Sequence, residues 1–467
     1  LRHVHGPIVD PFGAGDVHDQ WMVRRPAFQR EYRTHRLRIA GIGRQTVHGF
    51  CRTRDQPPGF ERGGDCAGAH RADVELGRDP QDLRQPCRGP AGAVQGFDAA
   101  LRPTALADNR RMHALRLYAG PRALQHIRDH GLRPEHVGVV PAAAGGPKGL
   151  ILGPLDRFLF GEWLAGSSQP VHLVGASIGA WRMATAAMPD PKRAFEALAH
   201  GYIHQHIEPE AGRKFPSAAR ITAGFTETLQ AFFGMSVPGL LGHPRFRLHV
   251  LTARGRQVLH RGTPARTALG FAGLALSNAL SRKAVGAFLE RTVFSSQGVR
   301  PPVPLNDLPT RHVPLTASNF MPAMLASCSI PFMLEAVHDI PGAPAGAHWD
   351  GGLVDYHFHW PFAHMKDGLV LYPHFQRQVV PGWLDKGLRW RHRATPWLSN
   401  LIVLAPNPEW VRTLPGGKLP DRTDFKALPP TQRMKVWAEA VGRSRQLAEE
   451  WQQWLAQGCP PSALSAL

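Results

Sequence analysis

This 467-residue sequence is short of cysteine, short of lysine and without a long apolar run. The cysteines, Cys51, Cys66, Cys87, Cys328 and Cys459, are odd in number and show no C-x-x-C spacing. That argues against a disulfide framework and against a zinc site, and a reducing compartment fits it better than secretion. Cys328, inside Ala326-Ser327-Cys328-Ser329-Ile330, reads as a buried small residue. No stretch of about 18 apolar residues occurs, so no transmembrane helix is expected. The first residues also lack the charged-then-apolar pattern of a signal peptide. The expected location is cytoplasmic, with peripheral contact at a membrane as the remaining membrane role. No lysine precedes Lys148, so arginines scattered from Arg2 to Arg445 carry most of the formal charge of +19. They form no long basic block and accompany no recognition motif, so nucleic acid is not the expected partner. A broad positive field still favours anionic partners, acidic lipid headgroups among them. No ligand cluster argues for a metal, no cofactor is expected, and no internal repeat is visible.

What is present divides the chain in two. Residues 1–111 are rich in Arg, Gly, Pro, Asp and His, and their apolar positions follow neither a 3.6-residue nor a two-residue period. Such a stretch buries too little apolar surface to offset the entropy of folding. It reads as an unstructured prefix or an over-extended start, with a basic targeting tail as the functional alternative. Residues 112–467 are orderly, and the chain's 43 % hydrophobic content supplies a core. Helices are expected at Pro121–His130, Pro147–Leu164, Ile178–Met188, Ser217–Phe233, Leu269–Leu289 and Phe320–Ser327. Strands are expected at His136–Ala142, Val171–Ala176, Arg247–Ala253, His312–Ala317, Gly368–Pro373 and Asn400–Ala405. Strands alternating with helices predict an α/β fold, three layers α/β/α around a mostly parallel sheet. Over 430–457, Met434, Trp437, Val441, Ser444, Ala448, Trp451 and Leu455 recur at spacings of three and four, which predicts one amphipathic helix.

Three motifs carry chemistry. Gly175-Ala176-Ser177-Ile178-Gly179 is a G-x-S-x-G between a strand and a helix, where a sharp turn lifts a serine hydroxyl above the sheet edge. The following helix N-terminus offers N–H groups to developing negative charge. Ala144-Gly145-Gly146-Pro147-Lys148-Gly149 also joins strand to helix, and its glycines can aim free N–H groups into one cavity. Pro147 has no N–H, so Gly145 and Gly146 are the donors; a P-loop is the competing reading, but its spacing is missing. Trp349-Asp350-Gly351-Gly352 is an acid followed by two glycines, later in the chain.

In that order the three motifs resemble the patatin-like phospholipase family, over about Val137 to Tyr356. Ala326-Ser327-Cys328-Ser329-Ile330-Pro331-Phe332 is similar to the small-residue-then-proline block that such proteins carry between elbow and aspartate. The resemblance implies Ser177 as nucleophile, Asp350 as base of a two-residue dyad, and Gly145 and Gly146 as oxyanion donors. Lys148 then holds the basic position of the loop, with Gly149, Gly175, Gly179, Gly351 and Gly352 completing the motifs. Ala144 departs from the pattern, which has glycine there. The activity implied is hydrolysis of lipid carboxylic esters, phospholipids or lysophospholipids foremost, with Phe225–Leu241 a candidate acyl pocket or lipid-facing cap. Two alternatives stay open. One is an α/β-hydrolase triad of Ser177, Asp350 and one of His357, His359, His364 or His374. The other is a catalytically silent lipid- or protein-binding module on the same fold.

Overall fold

A strand that is apolar on both faces must be covered on both faces, because successive side chains point to opposite sides. Leu401–Pro406 is such a strand: Leu401, Val403 and Ala405 enter one apolar core, Ile402 and Leu404 another. The computed structural model describes residues 112–213 and 215–467, so the expectations for 1–111 lie outside the described residues. Eleven strands are formed there: β1 Leu115–Ala119, β2 Val137–Ala142, β3 Val171–Gly175, β4 Phe246–Gly255, β5 Leu289–Ser295, β6 Thr310–Pro314, β7 Val337–His338, β8 Ala347–Asp350, β9 Leu369–Pro373, β10 Leu401–Pro406 and β11 Leu464–Ala466. Nine of them follow the order β11-β1-β10-β9-β2-β3-β4-β5-β6, while β8 pairs with β4 and β7 with β8. Most neighbours are parallel; β1–β10, β4–β5, β4–β8 and β7–β8 are antiparallel. The fold is α/β, with a mixed, mostly parallel nine-strand central sheet and flanking helices.

One sheet face packs on helices, through Ile127, Leu155, Met183, Leu229, Phe320 and Trp451. The other is closed largely by aromatic loop residues, Tyr356, Phe358, Trp360, Phe362 and Phe375. Among the described residues no helix is long and apolar enough to cross a membrane.

Three expected elements form differently. The Pro147–Leu164 helix is broken into a 3-10 turn at Gly146–Leu152, an α-helix at Gly153–Phe158 and a π turn at Leu159–Trp163. Pro154 can start a helix but cannot continue one, so the pattern restarts there. The expected Leu269–Leu289 helix runs instead from Pro264 to Leu280, and the chain then enters β5. Strand β5 was hidden by Glu290 and Arg291 near its start, buried charges satisfied from afar. Glu290 is paired by Arg254 and Arg311, and Arg291 by Asp355 and Asp307 at 2.5 and 2.8 Å. The single helix expected over 430–457 is two, Pro430–Arg443 and Arg445–Ala456. At the junction the Ser444 hydroxyl donates to the Val441 carbonyl, the local competition that ends helices at serine.

Candidate active site

Strand pairing brings two distant motifs to one point. Strand β5 occupies one edge of β4 along His249–Gly255, so β3 and β8 share the other. Along that edge β3 runs parallel and stops with Gly175 opposite Val250. Strand β8 arrives from the opposite direction and stops with Asp350 opposite Thr252. Two strand ends therefore face each other, with Ser177 just beyond one and Asp350 at the other. Glycine is required at this meeting: a Cβ at Gly351 would stand 2.3 Å from the Leu251 carbonyl oxygen, and one at Gly179 1.8 Å from that of Ala142.

Ser177 has φ 56° and ψ −130°, a backbone state that side-chain-bearing residues avoid. The helix Ile178–Ala186 starts at the next residue and is buried along its whole length. It is held by a buried ion pair in which Arg182 donates to Asp156 at 2.6 and 2.8 Å. The small-residue block clamps Ser177 and Asp350 from behind. The Ser177 N–H donates to the Ser327 carbonyl at 3.0 Å and the Asp350 N–H to the Ser329 carbonyl at 2.9 Å. Ser177 and Asp350 are 5 % and 6 % exposed. The Ser177 side chain lies near enough to Asp350 to lower its pKa, and Asp350 Oδ1 accepts the Gly352 N–H at 2.7 Å.

Burial raises the Asp350 pKa above the ordinary carboxylate value. The Gly352 N–H, the Ser177 side chain, Arg422 and Lys386 pull it down without cancelling that effect. A carboxyl whose pKa is higher folded than unfolded contributes stability below the unfolded value of about 3.9 and loses it as pH rises through the folded value. Asp350→Asn is therefore expected to melt at a higher temperature than wild type at neutral pH, with the gap closing in acid. Thermal unfolding at both pH values checks this, and a variant that melts lower at neutral pH would contradict it.

The glycine loop lies beside the serine. Gly146 adopts φ 57° and lines the same cavity as Ser177. Neither the Gly145 nor the Gly146 N–H is used in a turn or cap hydrogen bond. Ala144, the departure from the family pattern, donates its N–H to the Tyr356 carbonyl at 3.0 Å and is buried. Its N–H is thus committed to the fold, and the two glycines after it are the free ones. Lys148 sits 5.7 Å from the Phe375 ring centroid, its pKa lowered by burial. Gly149 packs close to Ile178, and Gly175 abuts the Gly179 carbonyl. A cavity extends from Ser177 and Gly146 between Trp181, Phe225, Phe232 and Leu334. The Phe225–Leu241 stretch thus contributes the aromatic residues of the helix Ala218–Phe233 to the cavity wall.

The four histidines are engaged elsewhere. His357 Nδ1 accepts the Val380 N–H at 3.1 Å, and His374 Nδ1 accepts the Gln376 N–H at 3.0 Å. His359 bonds the Val379 carbonyl and the Thr395 hydroxyl, and His364 is exposed. Burial drives the His357 pKa well below its ordinary value and that of His374 down to about 3, so neither ring readily takes a proton.

Sequence reading missed two cations. Arg422 lines the cavity with Ser177, and its Nε is buried without a hydrogen-bond partner. Lys386 lies 4.4 Å from the Tyr356 ring centroid and 5.2 Å from that of Trp383. Solvent still reaches it, yet the surrounding protein, together with Arg422 and Lys148, lowers its pKa. Both were invisible because Asp421-Arg422-Thr423-Asp424 and Asp385-Lys386-Gly387 read as ordinary turns. Among the described residues no His, Cys, Asp and Glu group is arranged to hold a metal. No protein-family model matches this chain, and no curated protein matches it.

Proposed function

We propose that residues 112–467 form a patatin-like lipid acyl hydrolase, a three-layer α/β/α domain that cleaves carboxylic esters through Ser177 and Asp350. The observation that carries this reading is the strained elbow serine just beyond the end of β3, met at the end of β8 by a buried carboxylate whose basicity burial has raised. A carboxylate of ordinary pKa, about 3.9, is a weak base for a serine and must touch the hydroxyl directly. Asp350 takes the Ser177 proton as Oγ bonds to the acyl carbon, and the carbonyl oxygen becomes an anion facing the Gly145 and Gly146 N–H groups. The tetrahedral intermediate collapses by breaking the bond to the alcohol oxygen, which leaves with the proton from Asp350. Water then attacks the acyl-enzyme, Asp350 again accepting a proton, and fatty acid is released as Ser177 is restored.

The cavity walls of Trp181, Phe225 and Phe232 suit an acyl chain. Arg422, which lines the cavity with Ser177 and acts on Asp350, favours an ester carrying an anionic headgroup over a neutral glyceride. The test is fatty-acid release from a lysophosphatidylglycerol and from a monoacylglycerol of the same chain. Arg422→Gln is expected to raise KM for the anionic ester by about tenfold and to leave the neutral one nearly unchanged. Equal effects on both esters would remove the headgroup assignment, and no fatty acid from either would remove the hydrolase reading.

A further inference from the structure

The outward side of the helix Pro264–Leu280 is apolar where a solvated helix is ordinarily polar. Thr267, Gly270, Phe271, Leu274 and Asn278 face inward and are buried. Ala265, Leu269, Ala272, Leu276 and Leu280, spaced by three and four, are exposed. The three leucines are 68 %, 67 % and 81 % accessible. The 383–392 stretch is bolted to the end of this helix. Asn278 donates to Asp385 at 2.9 Å, and Arg391 donates to both Asn278 and Asp385, at 3.2 and 2.7 Å. The same stretch holds Trp390, which is 63 % exposed. No acidic residue occurs from Arg256 to Leu289, nor from Lys386 to Pro408. Arg266, Lys283, Arg389 and Arg393, within those two stretches, are exposed.

We propose that this face docks on an anionic lipid bilayer, the leucines entering the interface and the neighbouring cations meeting lipid phosphates. An apolar stripe set in an acid-free stretch with exposed arginine and lysine matches a membrane surface in both polarity and charge. A second copy of the chain is a poor complement, since a two-fold contact would bring like stretches together, cation near cation. The turn Trp383–Gly387, joined to this helix through Asp385 and Asn278, places Lys386 within the field of Asp350. Docking would therefore hold the candidate site beside its substrate. Only that purpose rests on the hydrolase reading; the docking does not.

The experiment is co-sedimentation of full-length Ser177→Ala protein with vesicles of phosphatidylcholine, with and without phosphatidylglycerol. Binding is expected only with phosphatidylglycerol, and it should weaken as salt rises. The triple variant Leu269→Glu, Leu276→Glu, Leu280→Glu should bind at least about tenfold more weakly, and the corresponding triple serine variant less tightly than the parent. These side chains are exposed, so circular dichroism and melting should match the parent. Unchanged sedimentation of a folded triple variant overturns the proposal, as does indifference of the parent to phosphatidylglycerol. A triple variant that turns a dimer into a monomer in size-exclusion chromatography while keeping vesicle binding would instead make the face a protein interface. In a Ser177 background, turnover of a soluble p-nitrophenyl ester should not change with the three leucines. Loss of that turnover in wild type would sink the hydrolase reading and leave the vesicle result standing.

Discussion

Ser177→Ala is expected to lower ester hydrolysis by about five to six orders of magnitude, leaving only what the cavity and oxyanion donors achieve unaided. The expectation follows from position. Ser177 occupies the turn between β3 and the buried helix, lies near Asp350, and lines the cavity together with Gly146. The change should not disturb the fold, because the serine N–H bond to Ser327 is made by the backbone. Residual kcat on a p-nitrophenyl ester, with near-native circular dichroism, is the readout. A folded alanine variant retaining more than about a hundredth of wild-type kcat would place the nucleophile elsewhere.

Asp350→Asn should cost about 10³-fold in kcat, because general-base catalysis is typically worth 10²–10⁴-fold. Asparagine can still accept the Gly352 N–H, so the loss reports proton transfer rather than collapse of the turn. The pH profile gives an independent check. The base works only when ionised, so kcat/KM must fall as pH drops through the Asp350 pKa. Burial raises that pKa, and the acid limb should therefore lie above the ordinary carboxylate range, near pH 4. Glutamine at His357, His359, His364 or His374, one at a time, should cost little, since these rings bond to other partners or to solvent. A drop of about 10³-fold in one folded histidine variant would restore the triad.

Much of the sheet was legible because several parallel strands are short apolar runs bounded by glycine or proline. Val171–Gly175 and Leu369–Pro373 show it within a residue or two. Strand β5 was not legible, since its Glu290-Arg291 pair is acceptable in a core only through partners 16 to 64 residues away in sequence. Nor was Leu115–Ala119, whose alternation of buried and half-buried positions is carried by only five residues. At the site, order and local chemistry were readable: a serine between glycines after a strand, and an aspartate before two glycines. What joins them was not. Their meeting depends on β3 and β8 ending head to head on one edge of β4, a matter of register that no local pattern encodes. Arg422 and Lys386 were missed for the same reason, because their importance lies in what faces them. The Ala326–Phe332 block was noticed for its composition, while its role, holding Ser177 and Asp350 through two carbonyls, is geometric.

The most direct test of the account is where a fluorophosphonate reacts. Full-length protein treated with such a probe, digested and analysed by mass spectrometry should carry one phosphonyl group, on the peptide containing Ser177. Ser177→Ala protein should take none, and Asp350→Asn protein should label far more slowly, since the serine then lacks its base. Labelling of a different serine, or undiminished labelling of the Ser177→Ala protein, would contradict the assignment of the nucleophile.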